Sequence, residues 1–256
     1  MRRYWYPEAV GEQTHLVLEE ELFHHICDVC RQGQGSKFEL ISPDGFSRLV
    51  EIEQLNKRQA LLKILSTQKS KALKPPHIHL CISLPKLPTF ESVLEKSVEL
   101  GVAHIHPFIS DFSFFKSAQK VSEDRMERWQ RIVVSATQQS GRGELMQVHP
   151  VVNFENIVDQ MHRAPASMCL FAYEGSTPLG LKSYLTRHLA RPEGEASIQD
   201  VWLVVGSEGG FSDSEVFEMK SRKLEPVTMG DQVLRVETAC ISLVSVLKYE
   251  LGLMEA

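Results

Sequence analysis

Two short segments near the C-terminus hold residue types at spacings that could do chemistry. Residues 201–215 read VWLVVGSEGGFSDSE and residues 228–239 read TMGDQVLRVETA. The first opens with an apolar run suited to a strand buried on both faces. Gly206, Gly209 and Gly210 then allow a tight turn and close approach of the backbone to a ligand. Ser212 and Glu215 stand at capping-box spacing, which predicts a helix start. The G-x-x-G-G spacing is neither the dinucleotide fingerprint nor a Walker loop. Glu208 lies inside the turn, where a carboxylate repels phosphate and suits hydroxyls or a cation. A ligand with ribose hydroxyls, an amino group and a sulfonium meets those terms. An ordinary βα turn with glycines at positive φ explains the same residues without a ligand.

Alternating elements should position these loops. From residue 77 onward, strands are expected at 78–84, 104–109, 168–173 and 202–205. Helices are expected at 90–100, with Gly101 as the stop, and at 123–139, 178–190, 213–222 and 237–251. This alternation implies an α/β domain with a mostly parallel sheet. Residues 1–70 instead show short β-like runs at 15–18, 37–41, 47–52 and 60–66, with one short helix at 21–31. Turn signals such as Ser42-Pro43-Asp44-Gly45 separate them, and the pattern suggests a small barrel. The polar, basic stretch 67–76, TQKSKALKPP, is the best linker and sets domains of 1–72 and 73–256. Residues 191–199 read as a surface loop.

Composition narrows the class. With 43% hydrophobic and 24% charged residues over 256 positions, the chain is an ordinary soluble protein of one large or two modest domains. The net charge is −5, which excludes coating nucleic acid by bulk charge; an RNA partner must be met by a local patch and by shape. No stretch approaches the apolar length of a membrane span, and MRRYWYPEAV lacks a signal-peptide core, so a cytoplasmic protein with no membrane partner is expected. Five scattered cysteines fit reduced thiols. Cys27 and Cys30 form a C-x-x-C beside His24 and His25, but no second ligand pair has zinc spacing, and packing on a small helix is the stronger reading. His77/His79 and His104/His106 each put two imidazoles on one face of a strand. Together they could hold a metal; strand histidines at sheet edges are the favoured reading, and no metal is expected.

The motifs, in order along nearly the whole chain, resemble those of the small-subunit (16S) rRNA uridine N3-methyltransferase family. VGSEGGFS at 205–212 is similar to its I/V-G-P-E-G-G-F-S segment, and LRVETA at 234–239 to its L-R-x-E-T-A. EKSVELGV at 95–102 resembles its K-x-x-E-L-G-V helix end, and 128–142, with RW and ATQQSGR, its R-W-x-x-I…A-x-x-Q-S-x-R stretch. His24/His25 and VCRQGQG at 29–35 resemble its N-terminal H-H…V-L-R…G pattern.

This resemblance implies a C-terminal SPOUT α/β trefoil-knot methyltransferase domain and a small PUA-like N-terminal β-barrel that binds RNA. It implies S-adenosylmethionine as cofactor, 16S rRNA of the small ribosomal subunit as substrate, and a homodimer through the knot domain. By motif, the cofactor loops are 171–174, 205–210 and 229–235. Phe171, Ala172, Glu174, Val205, Gly206, Glu208, Gly209, Gly210, Met229, Gly230, Val233, Leu234, Arg235 and Thr238 are then expected at the cofactor. Backbone groups of Val205, Met229 and Leu234 would read the adenine edge. Three positions depart from the family: Ser207 replaces a proline, which should loosen the loop; Ser36 replaces an aspartate; and Asp111-Phe112 stands for Glu-Arg, removing a candidate phosphate or substrate contact.

Methylation of uracil N3 requires loss of the imide proton, near-attack placement and stabilisation of charge on the ring. Arg235 is the candidate for that charge or for the uracil carbonyls, and Glu237 or Glu208 for taking the proton or fixing Arg235. Alternatively, Glu237 is a helix N-terminal carboxylate and Arg235 part of a surface ion pair. Lys86, Lys96, Gln139 and Arg142 could line the route of a flipped base, and Arg2, Arg3 and Arg31 could hold phosphates. Rival readings are a 2′-O-ribose methyltransferase of tRNA or rRNA, a non-catalytic RNA-binding assembly factor, and a hydrolase using Ser207.

Overall fold

Alternating apolar and polar residues build a five-stranded sheet from the N-terminal part of the chain. The computed structural model describes residues 1–164, 167–175, 179–190 and 197–255. Strands β1 (Arg3–Trp5), β2 (His15–Leu18), β3 (Lys37–Ile41), β4 (Phe46–Leu55) and β5 (Ala60–Lys69) lie in the order β1-β3-β4-β5-β2. All neighbours are antiparallel except β1 and β3. Inward residues such as Leu18, Phe38, Leu40, Val50, Ile52 and Leu62 form the core, with Tyr4 and Ile26. The helix expected at 21–31 is a single turn, α1 (Glu20–Phe23), continued by a π-helix His24–Val29, in which the Cys30 N–H reaches back five residues to the His25 carbonyl at 2.9 Å. Cys27 and Cys30 pack against the core of this unit. The proposed linker begins inside β5, whose last residues extend to Lys69.

This first unit comprises Met1–Ala72 together with Thr137–Leu145. The Trp5 N–H donates to Gln138 Oε1 at 3.1 Å, and the Arg3 guanidinium lies where a Cβ on Gly141 would stand. One charged side chain is enclosed here. Arg48 is 2% exposed and donates to Asp44 Oδ2 at 2.8 Å, Ser42 Oγ at 2.7 Å and the Gly11 carbonyl at 3.2 Å.

The second unit, Leu73–Ala136 with Met146–Ala256, alternates strand and helix. Its elements are β6 (His77–Ser83), α2 (Leu87–Glu99), β7 (His104–Ile109), α3 (Glu123–Ser140), β8 (Gln147–Val148), β9 (Val152–Asn153), α4 (Phe154–Arg163), β10 (Ser167–Ala172), α5 (Leu181–Leu189), β11 (Asp200–Val205), α6 (Asp213–Ser221), β12 (Glu225–Val227) and α7 (Val236–Glu250). The last turn of α3 counts with the first unit. The sheet runs β12-β10-β11-β6-β7-β8, with β9 also on β7, and every pair is parallel. Residues 78, 80 and 82 and residues 201, 203 and 205 are buried, as are their neighbours on the other face, so the strands read as continuous apolar runs. Cys81, Phe108, Phe171 and Val204 meet Ile157, Val158 and Met161 of α4 and Val216 and Met219 of α6. Helix α7 packs against β11 and α2. Pro178, where a helix start was expected, and most of the loop 191–199 lie outside the described residues. Among the described residues, no helix is long and apolar enough to cross a membrane.

Candidate active site

Four strands that are neighbours in the sheet, β12, β10, β11 and β6, deliver their following loops to one end. Ligands of open parallel sheets bind beyond the carboxyl ends of strands. Here those loops enclose a cavity of about 510 Å³, lined by Lys86 and Thr89, by 172–174, by most of 205–210, and by 227–237 with Ala239.

The glycine-rich loop is shaped by contacts that exclude a side chain. A Cβ on Gly206 would come within 2.9 Å of the Gly210 backbone. Gly210 has φ +69°, and a Cβ there would come within 2.3 Å of Glu174 Oε1. The Gly210 N–H closes the turn on the Ser207 carbonyl at 2.9 Å. Ser212 then caps α6 with the capping box anticipated from its spacing to Glu215. In the loop after β12, Gly230 has φ +122°, and the Thr228 hydroxyl donates to its carbonyl at 2.9 Å. Arg235 is the extended residue before α7, so the first turn of that helix faces the cavity.

The structure brings together most residues expected at the cofactor. Ala172, Glu174, Val205, Gly206, Glu208, Gly210, Met229, Gly230, Val233, Leu234 and Arg235 line the cavity, and so does Glu237. Three do not. Phe171 is fully buried in the core between the sheet and α4 and α6. Gly209 turns toward Phe112, whose Cβ would stand 2.9 Å from an added Cβ. Thr238 is exposed on α7 outside the lining. Tyr173, Thr228, Asp231 and Gln232 line the cavity without having been singled out; they lie inside or beside the same loops, and strand ends at the sheet edge were the available signal. Among the described residues, no carboxylate pairs with Arg235, which leaves its charge available to the cavity. The Lys86 N–H donates to Glu208 Oε1 at 3.2 Å, tying the start of α2 to the glycine-rich loop.

Ser207 ties this loop to the segment after β7. Its buried hydroxyl donates to the Phe112 carbonyl at 2.7 Å, and Ser212 Oγ donates to Asp111 Oδ2 at 2.6 Å. The departures at 111, 112 and 207 thus meet in one clasp. The partner of this hydroxyl is a carbonyl and not a base, so the structure gives the hydrolase reading no support.

The basic residues are dispersed. Lys86 alone of its group lines the cavity. Lys96 lies ten residues along α2, about 15 Å away, and is paired with Glu95 and Glu99 at 3.2 and 2.9 Å. Gln139 and Arg142 belong to the first unit; burial pushes the Arg142 guanidinium down to about 10. Arg3 is paired with Glu39 at 2.5 Å, Arg2 donates to the Cys30 carbonyl at 3.0 Å, and Arg31 is exposed.

Comparison with known proteins adds to this geometry. Residues 72–248 match the RNA methyltransferase domain model, and residues 18–65 match the RNA methyltransferase PUA domain model. The chain is 26% identical over 258 residues to ribosomal RNA small subunit methyltransferase E of Bacillus subtilis, covering 99% of this chain and 98% of that protein. It is 28% identical to the enzyme of the same name from Buchnera aphidicola of Schizaphis graminum, over 92% and 90% of the two chains. It is similar in structure to the Neisseria gonorrhoeae ribosomal RNA small subunit methyltransferase E bound to S-adenosylmethionine, with TM-score 0.81, 26% identity and 97% of each chain covered. A Legionella pneumophila methyltransferase in complex with the same cofactor gives TM-score 0.83 and 29% identity over 96% of each chain. The fold is the SPOUT α/β-knot methyltransferase fold with a PUA-like N-terminal barrel. From its loops, its sheet order and these matches, the chain belongs to the RNA methyltransferase family.

Proposed function

We propose that this protein is an S-adenosylmethionine-dependent methyltransferase that acts on N3 of a uridine in 16S rRNA of the small ribosomal subunit. The observation that carries the reading is the cavity at the carboxyl ends of β12, β10, β11 and β6, where glycine backbone and no phosphate-binding lysine loop meet Glu208, Glu174 and Arg235. The residues fit the cofactor. Gly206 and Gly210 let the loop fold tightly on itself and on Glu174, where any Cβ would collide, and the backbone of 205, 229 and 234 offers N–H and C=O groups for an adenine edge. The carboxylates suit its hydroxyls and amino group. When bound, S-adenosylmethionine supplies an electrophilic methyl.

The chain's own residues do the rest. The Arg235 guanidinium, with five donors, binds the uracil carbonyls and stabilises negative charge on the ring. The N-terminus of α7 adds its positive dipole end from the same side. Glu208 or Glu237 takes the imide proton or holds Arg235; both line the cavity. Glu237 also sits in the first turn of α7, where a carboxylate stabilises the helix, so both roles are open to it. Lys86, which lines the cavity, serves as a phosphate contact for the incoming base, and the barrel's Arg2, Arg3 and Arg31 with Gln139 and Arg142 serve the RNA backbone. The protein works in the cytoplasm as a homodimer through the second unit, where exposed Val246 and Tyr249 on α7 offer an apolar surface to a second copy.

The test uses labelled S-adenosylmethionine, the purified protein and small subunits from cells lacking this gene, with the labelled nucleoside identified by mass spectrometry. N3-methyluridine is expected. A 2′-O-methylnucleoside would move the chemistry to ribose, and intact cofactor binding with no labelled rRNA would sink the substrate assignment. Sedimentation of the free protein reads the dimer.

A further inference from the structure

The amino end of the same sheet carries a second cluster. The register sets Trp202 of β11, His79 of β6 and His104 of β7 side by side. Residues two apart share a strand face, so His77, His106 and Asp200 stand there too. His149 follows β8, its N–H bonded to the Ile105 carbonyl at 3.0 Å. His79 stacks on His104 and on Trp202, and His106 on His149, with ring centroids 4.3, 4.2 and 4.0 Å apart. His79 Nδ1 lies 3.1 Å from His106 Nε2, and His104 Nδ1 lies 3.1 Å from His149 Nε2. The remaining nitrogen of His79 is 3.2 Å from Asp200 Oδ1.

We propose that His79, His104 and His106 bind a divalent transition-metal ion of the zinc class, with Asp200 orienting His79. One ligand atom from each histidine lies within 4.8 Å of the others. Two imidazoles on a tetrahedral ion at about 2.0–2.1 Å hold their nitrogens about 3.3 Å apart, so the 3.1 Å pair is spaced for one ion once the stacked rings rotate to aim their lone pairs at it. The Asp200 carboxylate behind His79 is the partner that fixes a ligating ring and raises its basicity. Nitrogen donors without carboxylate in the ligand set select zinc, nickel or copper over magnesium and calcium. Burial, the largest cause at each ring, pushes His104 down to about 4 and His106 to about 2, and lowers His79 and His149. From His79 to Ser83 at the other end of β6 is about 13 Å, so this site is separate from the cofactor cavity, and its ion would fasten β6 to β7.

Cys30 Sγ lies 3.9 Å from His25 Nε2 in the first unit, so full-length protein carrying His25→Ala and Cys30→Ser is stripped with chelator and titrated with Co²⁺ and with Zn²⁺. Co²⁺ is followed by ligand-field absorption and by quenching of tryptophan fluorescence, Zn²⁺ by calorimetry. One ion per chain is expected, with quenching largely absent in Trp202→Phe. His104 and Asp200 are half-exposed, so His104→Gln and Asp200→Asn should keep the fold by circular dichroism while weakening binding on the order of tenfold or more. Zn²⁺ should raise the Tm of the parent and not of His104→Gln. Absence of stoichiometric binding in the parent would overturn the proposal, as would affinity undiminished in both variants or quenching unchanged in Trp202→Phe.

Discussion

Arg235 lines the cavity at the start of α7 with no carboxylate paired to it among the described residues, and that placement separates two effects of its loss. Arg235→Ala should lower turnover on the order of 10²-fold, as loss of a charge-stabilising donor does, while cofactor affinity by calorimetry stays near normal. Near-normal methylation would remove Arg235 from the mechanism. Gly210 makes the converse case. Its φ of +69° and the Glu174 oxygen within 2.3 Å of an added Cβ leave a side chain nowhere to go. Gly210→Val should abolish cofactor binding in titration calorimetry, with strain of about 1–2 kcal/mol at the backbone alone; an unchanged titration would refute it. The chemistry of these residues was legible because glycine spacing and a loop carboxylate restrict the ligand directly. Phe171 was not: its strand position fits either the core or the loop edge, and only the face it takes decides.

At the scale of elements, a clasp joins Ser207 and Ser212 of the glycine-rich loop to 111–112. Ser207→Ala removes the part-buried hydrogen bond to the Phe112 carbonyl, which should cost about 0.5–1.5 kcal/mol and raise the KM for the cofactor more than it lowers kcat. A wild-type urea midpoint and KM would show the clasp to be idle. The strands β2 and β3 and the helices α2, α3, α6 and α7 follow from periodicity and caps within a residue or a few of the expected ends. Helix α4 was readable and passed over: Phe154, Ile157, Val158 and Met161 fall at helical spacing, and all are buried. Strands of two or three residues, such as β8, β9 and β12, carry no period, and Pro226 obscures β12 further. The π-turn at His24–Val29, with Ile26 buried, is likewise invisible in composition. The two H-x-H pairs were visible as strand pairs, but the register that joins them to His149 and Asp200 is a property of the sheet.

For the whole molecule, acid should act first through the barrel. The Arg48 guanidinium, with Ser42 and the backbone of Val10 and Gly11, holds the Asp44 carboxyl well below the usual range. Its contribution is present above the unfolded value of about 3.9 and is lost as pH falls below it. Asp44→Asn leaves the buried Arg48 charge unpaired, so it should destabilise the barrel by about 3 kcal/mol at pH 7 and flatten its loss of stability between pH 5 and 3. Urea unfolding at the two pH values reads both; equal slopes would clear Asp44. The barrel also has a history that its position at the front of the chain conceals. Its partners Gln138 and Gly141 arrive on Thr137–Leu145, after the first strands of the other unit have been made. During vectorial synthesis the barrel is thus begun first yet completed only once more than half the chain has been translated, and a nascent chain stalled before residue 137 exposes the surface around Arg3 and Trp5 that residues 137–145 later cover.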